Sequence, residues 1–94
     1  MPRAEFLSEM SAIYGAGAQS PEAERVAVDY AEANCEALRK ADGNGLMGPE
    51  FMSAFVDKLY LSDPSRSRED VERVLVLSAE FACPELLSAV RSNL

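Results

Sequence analysis

The stretch PEFMSAFVDKLY, residues 49–60, decides the fold, because it holds the densest group of large apolar side chains in the chain. These side chains recur at steps of three and four residues, the spacing of one face of an α-helix. They are Phe51, Met52, Phe55, Val56, Leu59 and Tyr60. Pro49 at the first helical position and Glu50 behind it suit a helix start. We therefore expect a helix here, at the centre of the core.

The same spacing predicts four more helices around this one. Residues 2–14 form the first helix, which ends at the turn GAGA, residues 15–18. The second begins after Ser20, a good N-cap, and runs to about residue 41. Its apolar face includes Val26 and is rich in alanine, so that neighbouring helices can approach closely. Ser67 caps a fourth helix, and Pro84 ends it and starts a short fifth one. The sequence thus predicts an all-α fold, a compact bundle of about five helices.

Length and composition are those of a globular protein with a single helical domain, residues 1–94. Sixteen acidic residues against nine basic ones give a net charge of −7, which argues against nucleic acid as a partner. The chain has no histidine, and so lacks the commonest general base and zinc ligand. We expect a protein that is not an enzyme, with no catalytic, cofactor-binding or metal-binding residues and no cofactor.

The N-terminal sequence predicts a cytoplasmic location. Arg3 and Glu5 are followed by no apolar core of the kind found in secretory signals, and no run reaches the roughly 18 apolar residues of a membrane span. We expect no membrane partner. Cys35 and Cys83 allow two readings: separate, partly buried thiols in a reducing compartment, which we favour, or a single bridge that ties two helices together.

The loop after the second helix resembles the calcium loop of an EF-hand. When Gly45 is matched to the invariant glycine, Asp42 and Asn44 fall on the third and fifth positions and Met47 on the apolar eighth. The first position falls on Lys40 and the twelfth on Phe51, so two of the strongest ligands are missing. A turn is the favoured interpretation, and a degenerate, calcium-responsive helix–loop–helix is the alternative function.

Residues 48–94 resemble the C-terminal helices of BTB/POZ-type adaptor domains. The resemblance is carried by GPEFMSAFVDKLY at residues 48–60, by EDVERVLVLSAEF at residues 69–81 and by CPELLSAV at residues 83–90. The strands and the helix with a His-Lys pair that begin such domains have no counterpart in residues 1–47. The resemblance implies a protein–protein adaptor, dimeric or docked on a larger scaffold.

Surface residues suggest how such a module would bind. Asp29, Glu32 and Glu36 predict an acidic strip on the second helix, and Asn34 is a polar residue within its apolar arc, where it needs a hydrogen-bond partner. Exposed apolar residues are expected on the outer faces of the helices, at Val76 and Leu61, joined by Leu77 and Leu94. We therefore expect a non-catalytic interaction module whose partner is another protein or a second copy of itself.

Overall fold

Helix boundaries follow the capping signals of the sequence. The computed structural model describes residues 1–15 and 19–94, and these contain five α-helices and no strand. The helices are α1 (Arg3–Tyr14), α2 (Pro21–Gly43), α3 (Pro49–Ser62), α4 (Arg68–Ala82) and α5 (Leu87–Asn93), with a 3₁₀ turn at Pro84–Leu86. The predicted all-α bundle of about five helices is confirmed. The predicted turn at residues 15–18 lies mostly outside the described residues.

Two serines fix the starts of the longer helices. Ser20 Oγ accepts a hydrogen bond from the Ala23 backbone N–H at 3.1 Å, and Ser67 Oγ accepts one from the Asp70 N–H at 3.0 Å. Each bond satisfies one of the backbone donors left open at a helix N-terminus. At the other end of α2, Gly45 has a φ of 69°, a left-handed conformation that glycine adopts without steric cost.

The centre of the bundle is α4, and the prediction that residues 49–60 form the central helix is wrong. One buried cluster joins α2, α3, α4 and α5 and includes Val71, Leu75 and Ala79 of α4. A second cluster joins α1, α2 and α4 and includes Val74 and Leu77. In α3 only Met52 and Val56 are buried, while its phenylalanines are half-buried. A helix with neighbours on several sides buries a wide arc of medium-sized residues, whereas α3 covers the edge of the core with large ones.

Cys35 and Cys83 form a disulfide, which corrects the favoured prediction of separate thiols. Their Cα atoms lie 5.8 Å apart, and neither residue is exposed to solvent. Cys83 follows the last residue of α4, so the bridge ties the middle of α2 to the point where α4 ends. The proline turn that breaks the chain at Pro84 brings the two cysteines together.

Asn34 has the hydrogen-bond partner that its burial requires. The residue is 4% exposed, and its side-chain amide donates to Ser78 Oγ at 3.4 Å. Ser78 in turn donates to the Val74 carbonyl of its own helix at 2.8 Å. The prediction of a partnered buried amide is confirmed, with a serine in the middle of α4 as the partner. This contact joins α2 to α4 within the core.

Exposed ion pairs join neighbouring elements of the bundle. Arg39 of α2 pairs with Glu85 at 2.7 Å, and Arg73 of α4 pairs with Glu9 of α1 at 2.6 Å. Phe6 of α1 stacks on Phe81 of α4 with ring centroids 4.4 Å apart.

None of the helices in the described part of the chain combines the length and the apolar character needed to cross a bilayer.

Candidate functional site

A groove of about 770 Å³ opens between the first turns of α2 and the last turn of α3. Val71 and Val74 of α4 lie beneath it, and α1 closes one side. Its lining is mainly apolar and includes Leu7, Met10, Ala23, Val26, Ala27 and Leu59. Pockets of this size and character are typical of binding sites in proteins. The groove is hereafter called the α2–α3 groove.

The alanines of α2 explain why the groove stays open. Further along α2, Ala31 is fully buried, in the cluster that joins α1, α2 and α4. Ala23 and Ala27 line the groove, Ala27 also packing against that cluster, and their methyl groups are too short to fill the space between α2 and α3. Small residues thus allow close approach where a neighbour is present and leave a groove where it is not. The prediction of close packing is confirmed for only part of this face.

One end of the groove is polar and is organised around Arg66. Its guanidinium lies over the Tyr14 ring, 4.6 Å from the centroid, and Nη1 donates to the Ile13 carbonyl at 3.1 Å. Nε lies 3.9 Å from a carboxylate oxygen of Asp63. The arginine is therefore held against the end of α1, with a carboxylate beside it. Its Nε is buried and has no hydrogen-bond partner among the described residues.

Two tyrosines line the groove and have altered acidity. Burial raises the pKa of Tyr14 above its ordinary 10.0, nearby Tyr30 raises it further, and Arg66 lowers it in part. Burial likewise raises the pKa of Tyr30, against a hydrogen bond with Asn34 that lowers it. A phenol that is harder to ionise than usual is a poor general base or nucleophile near neutral pH. These side chains are suited to packing and hydrogen bonding.

Carboxylates border the groove along α2. Val26 is 59% exposed at the groove edge, and Glu22 and Asp29 lie four residues before and three residues after it, which makes them its neighbours on the helix surface. Glu22 itself lines the groove. Asp29 belongs to the predicted acidic strip, all of which is exposed; the strip also lines a second surface depression beside Arg39 and Lys40. The two features are adjacent on one helix.

The predicted apolar patch is only partly present. Leu61 is 75% exposed and Leu94 is 43% exposed, as expected. Val76 is instead half-buried against the larger core cluster, and Leu77 is buried at 2% exposure. Both predictions are wrong because α4 has neighbours on more sides than its apolar stripe indicates. The exposed apolar residue that borders a groove is Val26, which the sequence pattern assigns to the core face of α2.

The loop considered for calcium forms a turn between α2 and α3, which is the favoured interpretation of its sequence. Asp42 and Gly43 are the last residues of α2, and the backbone N–H of Gly45 donates to the Asp42 carbonyl at 3.1 Å. Among the described residues, no three His, Cys, Asp or Glu side chains come together as a potential metal site.

Comparison with known proteins gives no match: no family model, no curated protein and no solved structure is significantly similar to the chain. The resemblance of residues 48–94 to BTB/POZ-type domains stays a prediction. The function is therefore inferred from the groove and the residues that border it.

Proposed function

We propose that the domain is a non-catalytic module that binds another protein by receiving the apolar face of a helix in the α2–α3 groove. The observation that supports this most is the open, mainly apolar volume of about 770 Å³ on the surface of so small a domain. Grooves between helices commonly accept amphipathic helices, which insert side chains spaced three and four residues apart. Val26, exposed at the groove edge, would be covered by such a helix.

The chemistry of the groove also supports binding without catalysis. The sequence contains no histidine, and the tyrosines in the groove have pKa values raised by burial. Arg66 is held by Tyr14 and the Ile13 carbonyl. The groove thus offers apolar surface with a few fixed polar groups, which orient a bound segment rather than transform it.

The disulfide bears on the cellular compartment in which the domain works. A cytoplasmic location is expected from the sequence, but disulfides are rare where glutathione and thioredoxin keep thiols reduced. The bridge between Cys35 and Cys83 therefore favours an oxidising compartment over the cytoplasm. We propose that the bridged form is the one that binds.

Selection from a displayed library of amphipathic helices tests the groove directly. The domain is used as bait, and the tightest peptide is titrated into isotopically labelled domain and followed by NMR. We expect amide shifts at Ala23, Val26 and Val71, which line the groove. We also expect Val26→Asp to weaken binding about tenfold or more, because it places a carboxylate where an apolar side chain must be covered.

Leu46→Asp is the matched control for this variant. It makes a comparable apolar-to-acidic change at a residue that is 61% exposed, close to the 59% of Val26, and that lies outside the groove. Peptide affinity should change less than about twofold in this control, since the substituted residue touches no docking surface. Shifts confined to another face, equal effects of the two variants, or a library without binders would contradict the proposal.

A further inference from the structure

We propose that the helix received by the α2–α3 groove is basic, with lysine or arginine along the flank that lies over α2. This inference rests on the proposed function and specifies the chemistry of the partner. It follows from the charges that border the groove, the ion pairs that those charges make, and the net charge of the domain.

Carboxylates that border the groove on α2 are free to meet cations. Glu22 and Asp29 flank the exposed Val26 on the surface of the helix. Neither is in an ion pair within the described part of the chain, whereas Glu9, Asp57 and Glu80 elsewhere each pair with an arginine. A partner helix lying along Val26 would bring its flanking side chains over these two carboxylates.

Nearby cations offset this negative border only in part. Arg66, at the other side of the groove, lies beside Asp63 and is held against α1 by the Ile13 carbonyl and the Tyr14 ring. Arg39, further along α2, pairs with Glu85. Arg25 lies three residues after Glu22 and four before Asp29 on the exposed surface of α2, so one cation neighbours two carboxylates and the border keeps a net negative charge. Over its full length α2 has six acidic and three basic side chains.

The net charge of the domain makes a second copy a poor occupant. Two chains with a charge of −7 each would repel one another, and the acidic flank of α2 would face another acidic surface. A basic helix has the opposite long-range effect, because attraction speeds its encounter with the groove and sets its orientation. Apolar contacts in the groove would then supply most of the affinity. The charges at its border would determine which partner helix is preferred.

Two synthetic helical peptides with the same leucine face test this inference. One has lysine and the other glutamate at the flanking positions, and each is titrated calorimetrically into the intact, oxidised domain. We expect the lysine peptide to bind at least about tenfold more tightly at low salt, and this advantage to shrink as ionic strength rises. Sedimentation of the domain alone in the same buffer should show a monomer.

Charge reversals on the domain identify the carboxylates responsible. Glu22→Lys/Asp29→Lys should weaken the lysine peptide about five- to tenfold and strengthen the glutamate peptide, since two border charges change sign. Asp42→Lys/Glu50→Lys is the matched control: it changes the net charge equally, at exposed residues outside the groove, and should have less than about a twofold effect at moderate salt.

Each other outcome overturns a specific part of the argument. Equal affinity of the two peptides, or equal effects of the two double variants, would leave groove binding intact and refute the basic partner. Tighter binding of the glutamate peptide would refute it as well. Failure of both peptides to bind would refute the proposed function, and a dimer dispersed by Val26→Asp would show that a second copy occupies the groove.

Discussion

Tyr14 and Tyr30 show how the groove alters the side chains that line it. Each has an apolar ring against the groove and a hydroxyl near polar groups, and burial raises the pKa of both. The folded chain therefore holds these protons more tightly than the unfolded chain, in which tyrosine ionises near 10.0. The extra stability is present below pH 10 and is lost as the pH rises through the pKa of the folded state.

This difference gives a prediction for alkaline solution. The free energy of unfolding should decline as the pH rises above about 10, and a Tyr14→Phe/Tyr30→Phe variant should decline less steeply over the same range, because phenylalanine does not ionise. Urea unfolding at closely spaced pH values measures both slopes. Absorbance at the phenolate band follows the ionisation itself. Parallel slopes for the two proteins would show that these tyrosines are not the cause.

For single residues, the sequence correctly predicts only those features that depend on local polarity. A polar residue within the apolar arc of a helix must be partnered, and Asn34 is bonded to Ser78. The same reasoning fails for Val76 and Leu77, because their burial depends on how many helices surround α4. It also fails for Val26, which has the spacing of a core residue but is 59% exposed.

Among the elements, the sequence predicts the position of each helix better than its role. Serine caps and prolines act within a few residues, so the starts of α2, α3 and α4 are where the sequence places them. The choice of central helix depends on packing across the whole bundle. In α3 the large aromatic residues lie at the edge of the core, where Phe51 and Phe55 pack edge to face with centroids 5.7 Å apart. The size of its side chains alone therefore does not show whether a helix lies at the centre of the bundle.

Substitutions in α4 and α3 test this assignment. Leu75 is fully buried, and Leu75→Ala should reduce the free energy of unfolding by about 2–5 kcal/mol, since it removes contacts and leaves a cavity. Phe55→Ala removes a larger side chain, but from a half-buried site whose vacated space is open to solvent. Phe55→Ala should therefore reduce the free energy of unfolding by less than Leu75→Ala does. Chemical denaturation of the two variants gives the comparison, and a larger loss for Phe55→Ala would restore α3 as the central helix.

At the scale of the whole molecule, the groove is a collective property. It requires the first turns of α2 and the last turn of α3 to lie side by side on α4 without meeting. No single helix contains a signal for this, although the alanines of α2 and the exposed carboxylates beside them are visible in the sequence. The acidic residues of α2 could therefore be predicted from the sequence. The groove beside them could not, because it depends on how three helices pack.

The disulfide is the other feature that acts across the whole chain. It links residues separated by 48 positions and so joins α2, the loop after it, α3 and α4 into one closed segment. Closing a segment of that length reduces the conformational freedom of the unfolded chain, which corresponds to roughly 4 kcal/mol of stability in the chain-entropy description. That is a large share of the stability of a small domain.

Removal of the bridge should therefore destabilise the domain strongly. Cys35→Ala/Cys83→Ala should lose about 2–5 kcal/mol in urea unfolding, and a thiol reductant should shift the natural protein in the same direction once the buried bridge is reached. The double variant serves as the control, because reductant has no bridge to act on there. Alkylation under denaturing conditions at the moment of cell lysis then tests the compartment: two unreactive cysteines show a bridged protein in vivo, and two alkylated cysteines show a reduced one. If the double variant were as stable as the natural chain, hydrophobic packing around α4 alone would suffice to stabilise the domain.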